Sequence, residues 1–345
     1  MSRVRLGVPY FLRTRSIDHF RRDLEDIVGV GATYLVLIVT DFDLLFFRDT
    51  LYDMVQEAKG AGLEVQLDPW GLGGVICTPY SVFPAAHPEA CQVASDGSPV
   101  GRGCPTHPTL LAFIERWVDA AAALGADAVF WDEPQLGVWE QGETVVRWSC
   151  RCPQCRQAFS ARYGMPMPTE LTDEVIQFRQ DAIAHLLQTA MRRAKGHGLE
   201  NSVCLLPREH PRYGFGNWEH IAGLPELDSF GTDPYWTASP GHDPAKLAEF
   251  DAYIRRFADK VMGLAGTAGK RPHMWVLGFR IAKGTEGDME RAARVVWDAG
   301  IRDLAIWADK YGCGDNNRSG DPEAVWRTVA RIFRSWRVQA GSSGP

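Results

Sequence analysis

Two kinds of apolar pattern alternate along this chain. Short continuous apolar runs cover 5–10, 33–40, 64–69, 128–133, 202–207, 229–235, 273–279 and 303–309. Runs of this length read as strands buried on both faces. Between them, apolar residues recur every three or four positions over 17–28, 51–61, 109–124, 174–195, 245–265 and 287–299, and a last such stretch covers 322–336. That spacing predicts amphipathic helices. Gly60, Gly125, Gly198 and Gly300 stand where helices should stop, and Asp18 and Asp321-Pro322 where helices should start. Strand–helix alternation with unbroken apolar strands predicts a parallel sheet covered by helices, and eight units predict a closed (β/α)8 TIM barrel. A doubly wound sheet is the alternative, but no glycine-rich phosphate loop follows the first strand.

The pattern predicts one barrel domain over 1–338 and a disordered tail over 339–345. Two excursions, 71–108 and 135–168, far exceed the ~2–6 residues usual for a βα loop. Both follow strands, so both should rise from the catalytic end of the barrel, where long loops are functional.

Composition narrows the class. The chain has 345 residues, 45% of them apolar, and a net charge of −6. That supports a full core and excludes nucleic acid as a partner, since no basic stripe is present. No stretch reaches the ~18 apolar residues of a membrane helix. Strand-like residues begin almost at once, which predicts no signal peptide and a cytoplasmic protein. In that compartment thiols stay reduced and clustered cysteines hold metal.

Such a cluster exists. Cys150, Cys152 and Cys155 supply three ligands at zinc-knuckle spacing. The fourth must come from elsewhere: Cys104 of the other long loop, with His107 and Cys91 as alternatives. Four thiolates would close the coordination sphere, so the zinc is expected to be structural and to tie the third and fourth βα loops together. Cys77, Cys204 and Cys313 read as plain buried or loop thiols.

The strand ends carry the candidate chemistry. Asp132 and Glu133 close the fourth apolar run, where two adjacent carboxylates must be solvated, paired or used. Glu133 is the expected general acid/base, with Asp132 orienting substrate or modulating its proton. Asp233 is the expected second catalytic carboxylate, as nucleophile or as base. Tyr10, Asp68, Trp70, Glu209, Tyr235, Trp236, Arg280, Trp307 and Asp309 are the expected substrate-binding residues. Asp41, Asp43 and Arg208 also stand at strand ends, and Asp309-Lys310 reads as a self-neutralising pair. Acids interleaved with aromatic rings suit a sugar: carboxylates take hydroxyl hydrogen bonds, and rings stack on its C–H face.

Three motifs carry a resemblance. Gly103-Cys104-Pro105-Thr106-His107-Pro108, Trp131-Asp132-Glu133-Pro134 and Cys150-Arg151-Cys152-Pro153-Gln154-Cys155 resemble the catalytic barrel of glycoside hydrolase family 42 β-galactosidases. The resemblance covers roughly residues 70–164, and the remainder only as a barrel. It implies zinc on Cys104, Cys150, Cys152 and Cys155, Glu133 as acid/base, and self-association into a homo-oligomer. Where that family has asparagine before this glutamate, Asp132 stands here. The family's nucleophile is a glutamate ending strand seven, but Met274 to Ile281 contains no acid, and the nearest is Glu286. A divergent glycosidase acting on a carbohydrate is therefore the expected function. The alternatives are another sugar-directed barrel enzyme (a lyase, an isomerase or a hydrolase of acidic sugars, suggested by Arg208 and Arg280) or a non-catalytic carbohydrate-binding barrel.

Overall fold

The computed structural model describes residues 4–11, 14–142, 144–208, 210–307, 310 and 317–342. Eight parallel strands close into a barrel. In chain order they are Arg5–Tyr10, Tyr34–Ile38, Glu64–Asp68, Ala128–Asp132, Glu200–Leu205, Ser229–Thr232, Arg271–Leu277 and Asp303–Trp307. They are called strands one to eight below. Each pairs with its sequence neighbours, and strand eight returns to strand one with Arg5 opposite Asp303.

Strand residues alternate between two cores. Leu6, Val8, Leu35, Leu37, Val65, Leu67 and Val129 point outward and are covered by helices. Tyr34, Val36, Phe130, Cys204, Trp275 and Ala305 fill the interior. Large interior rings need small neighbours. A Cβ on Gly7 would overlap the Tyr34 ring, and one on Gly231 would overlap His273. Period-two alternation thus sets which strand-end residues reach the mouth of the barrel.

The amino-terminal end of the interior is polar. Arg5 bridges Glu64 at 2.5 Å and Asp303 at 2.8 Å, Tyr34 donates to Asp303 at 2.9 Å, and Arg271 lies 3.2 Å from Asp303. His273 shares a 2.9 Å hydrogen bond with Ser229. These contacts involve strands one, two, three, six, seven and eight and belong to the stability end of the barrel.

Helices Ile17–Gly29, Arg48–Gly60, Pro108–Ala123, Asp173–Gly196, Pro244–Ala268, Gly287–Asp298 and Pro322–Ser342 form the outer layer. Between strands five and six the helix is only Trp218–Ala222. The last helix runs through 339–342, so the expected tail is helical there, and 343–345 lie outside the described residues. Gly125, Gly198 and Gly300 have the positive φ of helix-ending glycines. At the second such helix it is Gly62, not Gly60, that does so, because the helix continues through Gly60 and Ala61 caps it.

Both long excursions carry structure that short local patterns did not reveal. The third βα segment contains the hairpin Cys91–Val93/Pro99–Gly103, and the fourth contains Val138–Gln141/Thr144–Trp148 and the helix Pro153–Tyr163. Bridges Ile76–Pro134 and Ala94–Ser149 fasten one segment to the other.

Candidate active site and cysteine centre

Three strands deliver carboxyl groups to the carboxyl end of the barrel. Asp68 ends strand three, Asp132 ends strand four with Glu133 following, and Asp233 follows strand six. Asp68, Asp132 and Asp233 are buried, and Glu133 is partly exposed. Both carboxyl oxygens of Asp68 and Oδ1 of Asp233 are buried without a hydrogen-bond partner. Burial, then the negative charge of Asp132 and Glu133, holds the Asp68 carboxyl well above the usual carboxylate range. Burial and the neighbouring Glu133 do the same to Asp132. Asp233 is raised by burial, by the charge of Glu133 and by the hydrogen bond it donates to Glu133. Glu133 is raised by burial, and the hydrogen bonds from Asp233 and Cys77 and the charge of Arg208 pull it partly back. The cluster therefore keeps protons that isolated carboxylates would lose.

Glu133 is held in place by the third βα segment. Its backbone is left-handed at φ +39°, a conformation a non-glycine residue keeps only when its surroundings impose it. The segment crossing behind it contains Cys77, also left-handed at φ +54°. The Cys77 amide donates to the Glu133 carbonyl at 3.2 Å, and the Cys77 thiol lies 3.6 Å from Glu133 Oε2. Gln135 closes the crossing, with its amide on the Val75 carbonyl at 2.9 Å and its side chain on the Cys77 carbonyl at 2.8 Å. Cys77 is thus part of the site, although its sequence context marked it as an ordinary thiol. Only its place in the excursion after strand three hinted otherwise. Cys204, interior on strand five, also borders Asp233 and Asp132.

The other expected site residues divide. Tyr235 reaches the acids: burial raises its hydroxyl, and so do the charges of Asp233, Asp132 and Glu133. Trp307 packs edge-on against interior Trp275 at 5.7 Å, and Trp70 meets Phe11 at 5.0 Å. Trp236 and Arg280 lie beside Tyr235 in a cavity of about 400 Å³. Tyr10 is not brought to the mouth. It shares the outward face of Leu6 and Val8, and its hydroxyl bonds Asp23 of the first helix at 2.7 Å. Asp41 and Asp43 serve the loops: Asp41 accepts from Ser81 at 2.5 Å, and Asp43 caps its own helix and meets Arg15 at 2.5 Å. Glu286 accepts from the Gly284 amide at 3.1 Å, at the start of its own helix. Glu209 and Asp309 lie outside the described residues. Lys310 pairs with Asp26 and Glu323, and its expected partner Asp309 lies outside the described residues.

The four cysteines do converge. The sulfurs of Cys104, Cys150, Cys152 and Cys155 all lie within 4.8 Å of one another and are buried. Backbone amides aim at two of them, Cys152 N at Cys150 Sγ (3.5 Å) and Cys155 N at Cys152 Sγ (3.4 Å). Hydrogen bonds from Cys104, Cys150 and Cys155 hold the Cys152 thiol far below its ordinary value. Four soft donors, with amides placed to stabilise thiolates, form a set that could hold a metal ion. Neither His107 nor Cys91 belongs to this set. His107 instead caps the helix at Pro108, accepting from Thr109 N. Next to the cluster, fully buried Arg179 donates to the Ser149 carbonyl at 2.7 Å, to Gly137 at 3.2 Å and to Arg212.

No family model and no curated protein sequence matches the chain. Solved structures do. The β-galactosidase of the psychrophilic Marinomonas ef1 superposes with a TM-score of 0.68 at 13% identity, over 98% of this chain and 60% of that one. Gan42B, a GH42 β-galactosidase, gives 0.73 at 12% identity, over 99% of this chain and 57% of that one. The chain resembles family 42 barrels. It spans about 60% of the length of these two β-galactosidases. The endo-1,4-β-mannanase of Rhizomucor miehei, at a TM-score of 0.64 and 7% identity, matches over 97% of this chain and 95% of its own. At these identities the likeness is one of fold, a closed barrel of eight parallel strands.

Proposed function

We propose that this protein is a glycoside hydrolase in which Glu133 is the general acid/base. The observation that carries the reading is the placing of Glu133: a carboxyl raised by burial, partly exposed at the barrel mouth and pinned from behind by Cys77 and Gln135. A glycosidic oxygen leaves only when protonated, so the donor must keep its proton near neutral pH. Burial serves that need, against the hydrogen bonds from Asp233 and Cys77. Asp233 is the proposed second carboxylate. It lies beside Glu133, whose charge helps to hold its proton.

Glu133→Gln is expected to lower kcat by ~10²-fold or more on glycosides with poor leaving groups, in line with general acid catalysis. The loss should shrink on dinitrophenyl glycosides, whose leaving group needs no proton. Equal losses on both, or no loss with folding intact, would refute the assignment. Azide added to the Asp233→Asn variant should yield a glycosyl azide if Asp233 is the nucleophile.

The four cysteines are proposed to hold a structural zinc ion. When bound it would close the third and fourth βα segments against each other and supply no open coordination site for chemistry. One zinc per chain by elemental analysis, lost in Cys152→Ser, is the expected result.

A further inference from the structure

The interior face of the barrel ends, at the mouth, in a layer of acids. Asp68 lies two residues beyond Gln66, which is paired with interior Val36. Asp132 lies two beyond interior Phe130 and is paired with interior Cys204. Period two therefore aims both carboxyl groups into the lumen. Asp233 joins them beside Glu133.

The order of strands in the closed sheet sets what these acids face. Strand three stands opposite strand seven, and strand four opposite strand eight. On those far strands Trp275 is interior, and Trp307 lies two residues beyond interior Ala305. Two indoles thus occupy the wall across from Asp68 and Asp132, and they meet edge to face at 5.7 Å.

Both sides of this layer hold polar atoms with nothing to bond. Asp68 is 0% exposed and neither of its carboxyl oxygens accepts a hydrogen bond, while the buried Trp275 Nε1–H donates none. Groups buried in this way are costly unless a ligand completes them. Among the described residues no cation acts on Asp68 or Asp132: Asp68 feels the charges of Asp132 and Glu133, and Asp132 that of Glu133. A sugar hydroxyl satisfies one oxygen of such a group but leaves the repulsion among the acids untouched. A positive charge relieves both costs, and indole rings favour a cation over a neutral group.

We infer that the sugar bound here carries a protonated amine, and that its ammonium group enters the lumen beside Asp132, with Asp68 behind it and the two indoles across from it. The ligand class is an amino sugar whose nitrogen is free rather than acetylated. The inference rests on the proposed hydrolase reading only in calling that ligand a substrate, and binding tests it directly. The probes are the methyl thioglycosides of glucosamine and galactosamine, which resist hydrolysis, against those of their N-acetyl forms and of glucose and galactose. Affinity for the wild-type protein is read by calorimetry near neutral pH and at low salt. At least one amine should bind about tenfold or more tightly than both of its counterparts. Added salt should erode that gap, and raising the pH past the amine's own pKa should close it. Asp132→Asn and Asp68→Asn should each narrow the gap by more than they weaken neutral sugars. Cooperative melting shows which variants are folded, and if one is not, the other decides. Equal affinity for an amine and its counterparts, no amine bound at millimolar concentration, or a preference untouched by the folded variants would overturn the inference. Cleavage of neutral aryl glycosides without an amine preference would sink it and leave the hydrolase reading standing. An amine preference without cleavage of any aryl glycoside, amino or neutral, would do the reverse.

Discussion

At Glu133 the nearest atoms decide when the proton leaves. The Cys77 thiol favours the ionised form of this carboxyl. Removing it in Cys77→Ala should raise the Glu133 pKa and move the alkaline limb of the kcat/KM profile to higher pH. Cys77→Ser, which keeps a donor, should move it less. A profile unchanged in both variants would mean that the thiol has no electrostatic part in the site. The sequence made Glu133 visible because two adjacent acids ended an apolar run, a costly arrangement. It hid Cys77, whose relevance depends on a crossing between segments 56 residues apart. It misdirected Tyr10, because a strand's end is legible while the face taken by its last residue depends on register, and a shift of one position turns the side chain outward.

On the level of elements, the two excursions act as one unit. Two bridges and the four sulfurs join them. Chelation of the proposed zinc is expected to lower the melting temperature and to open 91–103 and 138–155 to proteolysis before the barrel unfolds, with activity declining as those segments open. Instant inhibition without a structural change would argue for a catalytic metal. Arg179→Met should cost about 3 kcal/mol by leaving buried carbonyls unpaired, read from urea unfolding. The cysteine spacing was legible because thiols are rare and chemically committed. The hairpins were not, since strands of three to five residues are too short to show a readable period and owe their form to each other.

For the whole molecule, buried charge makes stability depend on pH in two opposed ways. Asp68, Asp132 and Asp233 have raised folded values, so each supports the fold fully below its unfolded pKa near ~4. That support fades as pH rises through the folded value. His273 runs the other way: burial, then the charges of Arg271 and Arg5, lowers it to about 3. Its support is complete above ~6.5 and is lost as pH falls towards 3. Calorimetry should find Asp68→Asn more stable than the wild type at pH 8, by on the order of a few degrees, with the gain vanishing near pH 4. His273→Gln should flatten the acid limb. The barrel itself was legible because eight apolar runs leave few other topologies, and no helix among the described residues is long and apolar enough to cross a membrane.

The Arg5–Asp303 pair joins residues 298 positions apart. A growing polypeptide on the ribosome therefore cannot seal its sheet until Asp303 has been made. Until then the first and seventh strands both present raw edges, and edges of that kind recruit other chains. Biosynthesis of this molecule should thus pass through a long, sticky adolescence, and a messenger truncated just before the codon for Asp303 should yield inclusion bodies rather than a smaller folded barrel.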